Sequence, residues 1–372
     1  MKILLENNLF GLRNTKLISN QMYMKIGFIV GKTNEVCDNK ELKKQTPKKY
    51  LADTYNKKNQ LHTDVAIAMT VKNKFPGHKI DIILPKEISV NRLKKNDINF
   101  VLGYDYITTI EQDPWVPKFA GEKGGQKLID IYKNPKCNIF PPYKHQDFIY
   151  NKRKYLTKIK NSGIPINPTI FIKNNVNIPK LLAQISGYQW KQFIIKPIGG
   201  CEGHGCGFFT TEDVIGEPTK IYDYFTENAE YYNEYLVQRL TDGFKKYGEV
   251  KSFWVGGKYS YAIVTKDIPY GDSIVKPLTD KKILDKCLEL GNKVNDVIPK
   301  LVFNGKKTDP VMTRVDIICC LDNKPFPSYD YYLNEIEEGG LAGSYTDFKN
   351  ITYPYVEVMA DAYIKKAREL LE

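Results

Sequence analysis

Residues 193–209 read FIIKPIGGCEGHGCGFF: an apolar, strand-like run carries one lysine, breaks into glycine and resumes as a strand. Few chain paths accept this order. Glycine at 199, 200, 203, 205 and 207 lets the backbone adopt positive φ and double back. The same freedom lets backbone N–H groups close on an anion, and Lys196 places a point charge at the strand's end. Two phosphate-binding loops are excluded. No Gly-Lys-Ser/Thr closes the segment, and the strand GFFT follows where a dinucleotide fingerprint requires a helix. A plain glycine hairpin and a phosphate lid both remain open.

A second constellation is acidic. TRVDIICC (313–320) sets Asp316 inside an apolar strand, with Arg314 on the same face two residues earlier. YLNEIEEGG (332–340) sets Glu335 and Glu337 on one face of the next strand. Carboxylates among apolar strand residues are costly to bury without cations. If the two strands are neighbours, three carboxylates and one arginine converge. An all-oxygen set suits Mg²⁺, which commonly bridges to substrate phosphates. The plainer alternative is an arginine–glutamate salt bridge within a sheet.

The chain's 372 residues exceed what one core usually serves, so two or three subdomains are expected. MKIGFIVG (24–31) predicts a buried strand, and the polar, lysine-rich 32–60 a loop. HTDVAIAMTVKNKF (62–75) has apolar residues at helical spacing, while KIDIILP (79–85) and DINFVLGYD (97–105) predict strands. That order suggests a small open α/β domain. The proline-broken IYKNPKCNIFPPYKHQ (131–146) reads as a connector. A helix is predicted from Lys152 to Lys160, ended by Gly163 and Pro165, then a strand at TIFI and a helix at IPKLLAQI (178–185). A helix near 220–228 and a strand at EYLVQRL (234–240) follow the glycine segment. EVKSFWVGG and KYSYAIVTK read as a hairpin turning at Gly256–Gly257. An amphipathic helix over 280–301, strands at 311–321 and 331–336, and a final helix over YVEVMADAYIKKARELL complete the pattern.

Together these motifs and their order resemble the ATP-grasp superfamily, nearest to glutathione synthetases, the glutamate ligases of ribosomal protein and D-alanine–D-alanine ligases. The likeness covers roughly residues 140–370 and is compatible across 24–130. It implies an α/β (α+β) ATP-grasp fold with an N-terminal open α/β pre-domain. Residues 1–22 would be a disordered extension, 23–140 the pre-domain, 141–190 the first ATP-grasp subdomain and 191–372 the second. Lys152 matches the family's first nucleotide lysine, with Asn151 where an aspartate is usual. Lys196 matches the second lysine, and Gly199, Gly200, Gly203 and Gly205 match the mobile phosphate lid. YLVQRL resembles the adenine hinge, which puts Gln238 on the adenine amino group and the Arg239–Leu240 backbone beside the ring. Glu249, Lys251 and Lys266 occupy the places of a Gly-Asp-x-Arg hairpin and a later arginine. RVDI matches the strand of the catalytic Arg314 and the first metal carboxylate, Asp316. NEIEEGG matches a Glu-x-Asn pattern, with Glu335 in place and Glu337 where asparagine is usual. Lysine cannot copy arginine's bidentate fork, so substrate phosphates or carboxylates would be gripped differently at 251 and 266.

The resemblance implies an ATP-dependent carboxylate–amine ligase that works through an acylphosphate, with ATP and Mg²⁺ (two ions, or Mn²⁺) as cofactors. Its partners would be small-molecule or peptide carboxylates and amines, with homo-oligomerisation open. Loops at 104–125, 266–280 and 339–350 would set specificity. Two other readings stay open: a small-molecule kinase such as an inositol phosphate kinase, and a nucleic-acid-binding or scaffold protein on this fold. The net charge of +12 suits anionic ligands in general. Many tyrosines sit beside acids, as in YDY and EYYNEY, which disfavours nucleic acid. The longest apolar runs are too short to span a bilayer. The first residues lack the apolar core of a secretory signal. Seven cysteines without a zinc spacing suggest reduced thiols and a cytoplasmic setting. The four histidines are dispersed, and isolated histidines are more often surface or core residues than catalysts; His204 lies in the lid, where a phosphate contact is open but is the less favoured reading.

Overall fold

The computed structural model describes residues 22–31, 36–53, 57–102, 125–199, 203, 205–266, 274–319, 331–338 and 353–372. Gly200, His204, all of 339–350, most of 104–125, and 267–273 within 266–280 lie outside them.

The N-terminal unit runs β1 (Lys25–Ile29), α1 (Lys40–Gln45), α2 (Thr63–Lys74), β2 (Lys79–Ile83), α3 (Val90–Leu93), β3 (Ile98–Val101), α4 (Gly125–Lys133) and β4 (Ile139–Phe140). Its four strands form a parallel sheet in the order β2-β1-β3-β4. Parallel sheets are covered on both faces, which is why β1 and β3 are apolar almost throughout. The lysine-rich 32–60 is more than a loop. Asn39 caps α1 by accepting from the Leu42 amide at 2.9 Å, and Leu42, Tyr50 and Leu51 anchor the excursion on the core. The stretch expected to be a connector, 131–146, is also built: its prolines fall between short elements, where a missing N–H costs nothing. Pro142 is the N-cap of the next helix, α5 (Tyr143–Ile149).

The second unit runs α6 (Lys152–Asn161), β5 (Thr169–Lys173), α7 (Ile178–Gly187), β6 (Gln192–Pro197), β7 (Gly207–Thr210), α8 (Thr211–Gly216), α9 (Thr219–Asn228) and β8 (Glu234–Arg239). Its antiparallel sheet has the order β5-β8-β6-β7. The glycine segment is therefore the turn of a β6–β7 hairpin. Alternation sends Phe193, Ile195, Tyr235 and Val237 to the helix-covered core, and Ile194, Lys196, Leu236 and Gln238 to the other face.

The third unit runs α10 (Asp242–Tyr247), β9 (Glu249–Val255), β10 (Lys258–Lys266), β11 (Ile274–Pro277), α11 (Lys281–Val297), β12 (Leu301–Phe303), β13 (Lys306–Thr308), β14 (Met312–Cys319), β15 (Tyr331–Glu338) and α12 (Tyr355–Leu371). Its five-stranded sheet has the order β11-β10-β9-β14-β15. Gly256 and Gly257 both take positive φ at the β9–β10 turn, as a two-residue hairpin requires. The helix α12 returns to the N-terminal sheet. Tyr363 meets Phe28 and Phe100 edge-on, with ring centroids 5.5 and 4.8 Å away, in one core that also holds Met24, Ile26 and α2.

Candidate active site

The acidic face forms because β9, β14 and β15 are neighbours in a definite register. Asp316 stands opposite both Lys251 and Glu335, and Arg314 opposite Glu337. Paired residues share a face, so Glu249, Lys251, Arg314, Asp316, Glu335 and Glu337 all point to one side. Oxygens of Asp316, Glu335 and Glu337 lie within 4.8 Å of one another. Arg314 grips Asp316 with two prongs, Nε to Oδ1 at 2.7 Å and Nη2 to Oδ2 at 2.6 Å, and reaches Glu337 Oε1 at 2.8 Å. Lys251 Nζ donates to Glu249 Oε2 at 2.6 Å and Asp316 Oδ2 at 2.9 Å. The salt bridge expected as an alternative to the carboxylate cluster is thus part of the same cluster.

The second unit contributes two more cations. Asn151 caps α6 by accepting from the Lys154 amide at 3.0 Å, and the Lys152 amide donates to the Ile198 carbonyl at 3.1 Å. This ties the start of α6 to the end of β6. From there Lys152 Nζ reaches Glu335 Oε1 at 3.1 Å. Lys196 lies on the open face of β6, and its charge acts on both Glu335 and Cys206. Gly203 and Gly205 take φ of +74° and +68°, the left-handed region that glycine's freedom allows. A Cβ at Gly205 would come within 2.6 Å of the Tyr232 ring. Gly199 is buried at the head of this turn.

The hinge residues differ in what they offer. Gln238 is buried, and its Nε2 donates to Thr169 Oγ1 at 3.1 Å while Oε1 has no partner among the described residues. A buried amide end without a partner is costly, so this atom suits a ligand. The amides of Arg239 and Leu240 are already spent, donating to Pro168 and Gln192 carbonyls at 3.1 and 3.0 Å. The Arg239 carbonyl accepts from Asn167 Nδ2, also at 3.1 Å. Lys266 does not join the cluster. Thr265 pairs with Glu249, so its neighbour alternates to the opposite face, and Lys266 Nζ donates to the Lys246 carbonyl at 2.9 Å.

Asn334 is the site residue that alternation could not find. Asp316 pairs with Glu335 but Ile317 pairs with Leu333, so Asn334 is an extra residue in a β-bulge. Bulges re-aim a side chain. Here the bulge sends Asn334 Nδ2 to Glu249 Oε1 at 2.6 Å and Oδ1 towards Asn167 Nδ2 at 3.4 Å. The asparagine polarity within YLNEI was the sequence's one hint.

The cluster's charges nearly cancel: Glu249, Asp316, Glu335 and Glu337 face Lys152, Lys196, Lys251 and Arg314. Burial raises the Glu335 pKa, but Lys152, Lys196, Arg314 and Lys251 outweigh it and hold it down at about 2. Glu337 shifts upward, through burial first and then repulsion by Glu335 and Asp316, against the pull of Arg314 and Lys251. The three clustered carboxylates are hard oxygen donors at a spacing one cation can bridge, which fits Mg²⁺ or Mn²⁺. A cation would share Asp316 with Arg314 and Lys251.

No protein-family model and no curated protein matches the sequence. Solved structures match nearly its whole length. D-alanyl-alanine synthetase A from Vibrio cholerae is 15% identical, with 94% of this chain and 98% of that chain covered at a TM-score of 0.59. The D-cycloserine synthetase DcsG is 13% identical, with 92% and 99% covered at 0.57. The ATP-grasp ligase PsnB, solved with a minimal precursor, is 12% identical, with 92% and 98% covered at 0.52. None of the helices among the described residues is long and apolar enough to cross a membrane. With the four sheets of its described residues and near full-length likeness to these structures, this chain has the ATP-grasp fold.

Proposed function

We propose that this protein is an ATP-dependent carboxylate–amine ligase acting on small-molecule or peptide substrates. The observation that carries this reading is the meeting of Asp316, Glu335 and Glu337 with Arg314 and Lys251 on one sheet, with Lys152 arriving from the start of helix α6. Similar structures include ligases of this class.

A substrate carboxylate oxygen attacks the γ-phosphorus of ATP, the bond to the β-phosphate oxygen breaks, and ADP leaves. An amine then adds to the acylphosphate carbonyl, loses a proton and expels phosphate, leaving an amide. Lys152 and Lys196 hold the α- and β-phosphates, and the open end of Gln238 faces the base. Arg314 and Lys251 supply fixed positive charge where the phosphoryl group transfers and where the tetrahedral oxyanion forms. The glycine turn closes over the phosphates and excludes water, so that the acylphosphate meets an amine and not solvent. Divalent cations held by Asp316, Glu335 and Glu337 would neutralise phosphate charge during transfer.

A panel of carboxylates and amines assayed for ADP release, with product mass, tests this. ADP release is expected only when both substrates are present, with an amide as product. A phosphorylated small molecule instead would identify a kinase. Asp316→Asn is expected to lower turnover by roughly 10²-fold or more, and unchanged turnover would contradict the reading.

A further inference from the structure

His145 has a defined partner and is remote in sequence from the lid. It lies in α5, is 6% exposed, and its Nε2 is 2.6 Å from Glu338 Oε2, a residue 193 positions away. Glu338 is the last residue of β15. Alternation puts Glu335 and Glu337 on the carboxylate face and Ile336 and Glu338 on the opposite one. There Ile336 packs with Ile149, Tyr155, Leu156 and Ile159. The Glu338 side chain is 1% exposed on this face, and its Oε1 has no hydrogen-bond partner among the described residues. A carboxylate so buried is tolerable only with a donor, and His145 provides one. The Tyr150 hydroxyl donates to the Glu338 main-chain carbonyl at 3.3 Å. Two side chains from the α5 segment thus hold the same residue by its side chain and its backbone.

The placement matters because β15 is the sheet's edge strand. Residues 165–167 cover its other side at Leu333, through the Leu333 amide to the Pro165 carbonyl at 2.9 Å and the Asn167 amide to the Leu333 carbonyl at 2.8 Å. At 338 the strand has the β14 ladder on one side, where Thr313 is its partner. Strand ends paired on one side fray readily. Glu337 is one residue back, so whatever fixes the backbone at 338 fixes the direction in which Glu337 points.

We propose that His145, through Glu338 and with Tyr150, is a positioning residue that holds Glu337 in place as a divalent-cation ligand. This rests on the metal-dependent ligase reading above. Residues that orient metal ligands change metal affinity by about 10- to 100-fold when removed.

The test is Mn²⁺ binding to the full chain with ADP present, followed by electron paramagnetic resonance, alongside ADP binding without metal. His145→Ala is expected to weaken Mn²⁺ about 10-fold while leaving metal-free ADP affinity unchanged. His145→Gln, whose amide can also donate, is expected to restore most of the loss. If His145→Ala does not fold, Tyr150→Phe carries the test: it removes one hydroxyl and is expected to weaken Mn²⁺ measurably. Unchanged Mn²⁺ affinity in the variant that folds, beside a clear loss in Glu337→Gln, would overturn the positioning role and leave the ligase reading intact. No Mn²⁺ binding by the unaltered protein would overturn both.

Discussion

Lys251 is 7% exposed and sits between two carboxylates, so its charge cannot be removed quietly. Lys251→Met should leave Glu249 and Asp316 short of a buried partner and cost about 3–5 kcal/mol, measurable by urea unfolding. Lys251→Arg should retain most of that stability, since only the shape of the cation changes. Asp64 makes the opposite kind of prediction. Burial raises its pKa to about 7, although the amides of Val65 and Gly31 donate to its carboxylate, each at 2.7 Å, and oppose the rise. In the unfolded chain an aspartate titrates near about 3.9. Between those values the folded state keeps a proton that the unfolded state has lost, so stability falls as pH rises from about 4 to about 7 and then levels. Asp64→Asn does not titrate. The stability of the unaltered protein relative to this variant should therefore decline across that window, and a difference independent of pH would refute the shift.

At the level of elements, alternation and register account for most of the site. Arg314, Asp316, Glu335 and Glu337 share a face because strands have a period of two, which is why their convergence could be read from TRVDI and NEIE. The bulge at Asn334 could not, because an inserted residue has no periodic mark in sequence. Packing between elements also sets a hard limit on α11. A Cβ on Gly291 would stand 2.4 Å from the Trp254 ring, and Trp254 Nε1 donates to Ser252 Oγ at 3.1 Å, within the strand that carries Lys251. Gly291→Ala should therefore cost about 1–3 kcal/mol, with a change in tryptophan fluorescence that reports the displaced ring. Fluorescence and stability both unchanged would show that the helix moves aside freely.

At the scale of the whole molecule, the last helix packs into the core of the N-terminal unit. Tyr363 is 2% exposed against Phe28 and Phe100, and Lys74 in α2 pairs with Asp361 at 2.5 Å. Tyr363→Ala should cost about 3–5 kcal/mol, as expected for removing a buried aromatic ring. The loss should appear in the thermal unfolding of the whole chain, because this core joins its two ends. A separate early transition that leaves the second unit folded would instead show that the units unfold independently.

Local sequence was enough to determine the long strands, the longer helices, the Gly256–Gly257 turn and the side of each strand on which a charge lies, since these follow from short-range periods and glycine's backbone freedom; the short elements within 32–60 and 131–146 carry too few residues to show a period. It also exposed the likeness to the ATP-grasp fold. Only tertiary structure decided which charges meet. It brought Lys152 to Glu335, excluded Lys266, spent the Arg239 and Leu240 amides, bulged Asn334 into the cluster and set His145 against Glu338. Each of those contacts joins segments whose separation along the chain carries no periodic signal, and each is settled by which surfaces must be buried together.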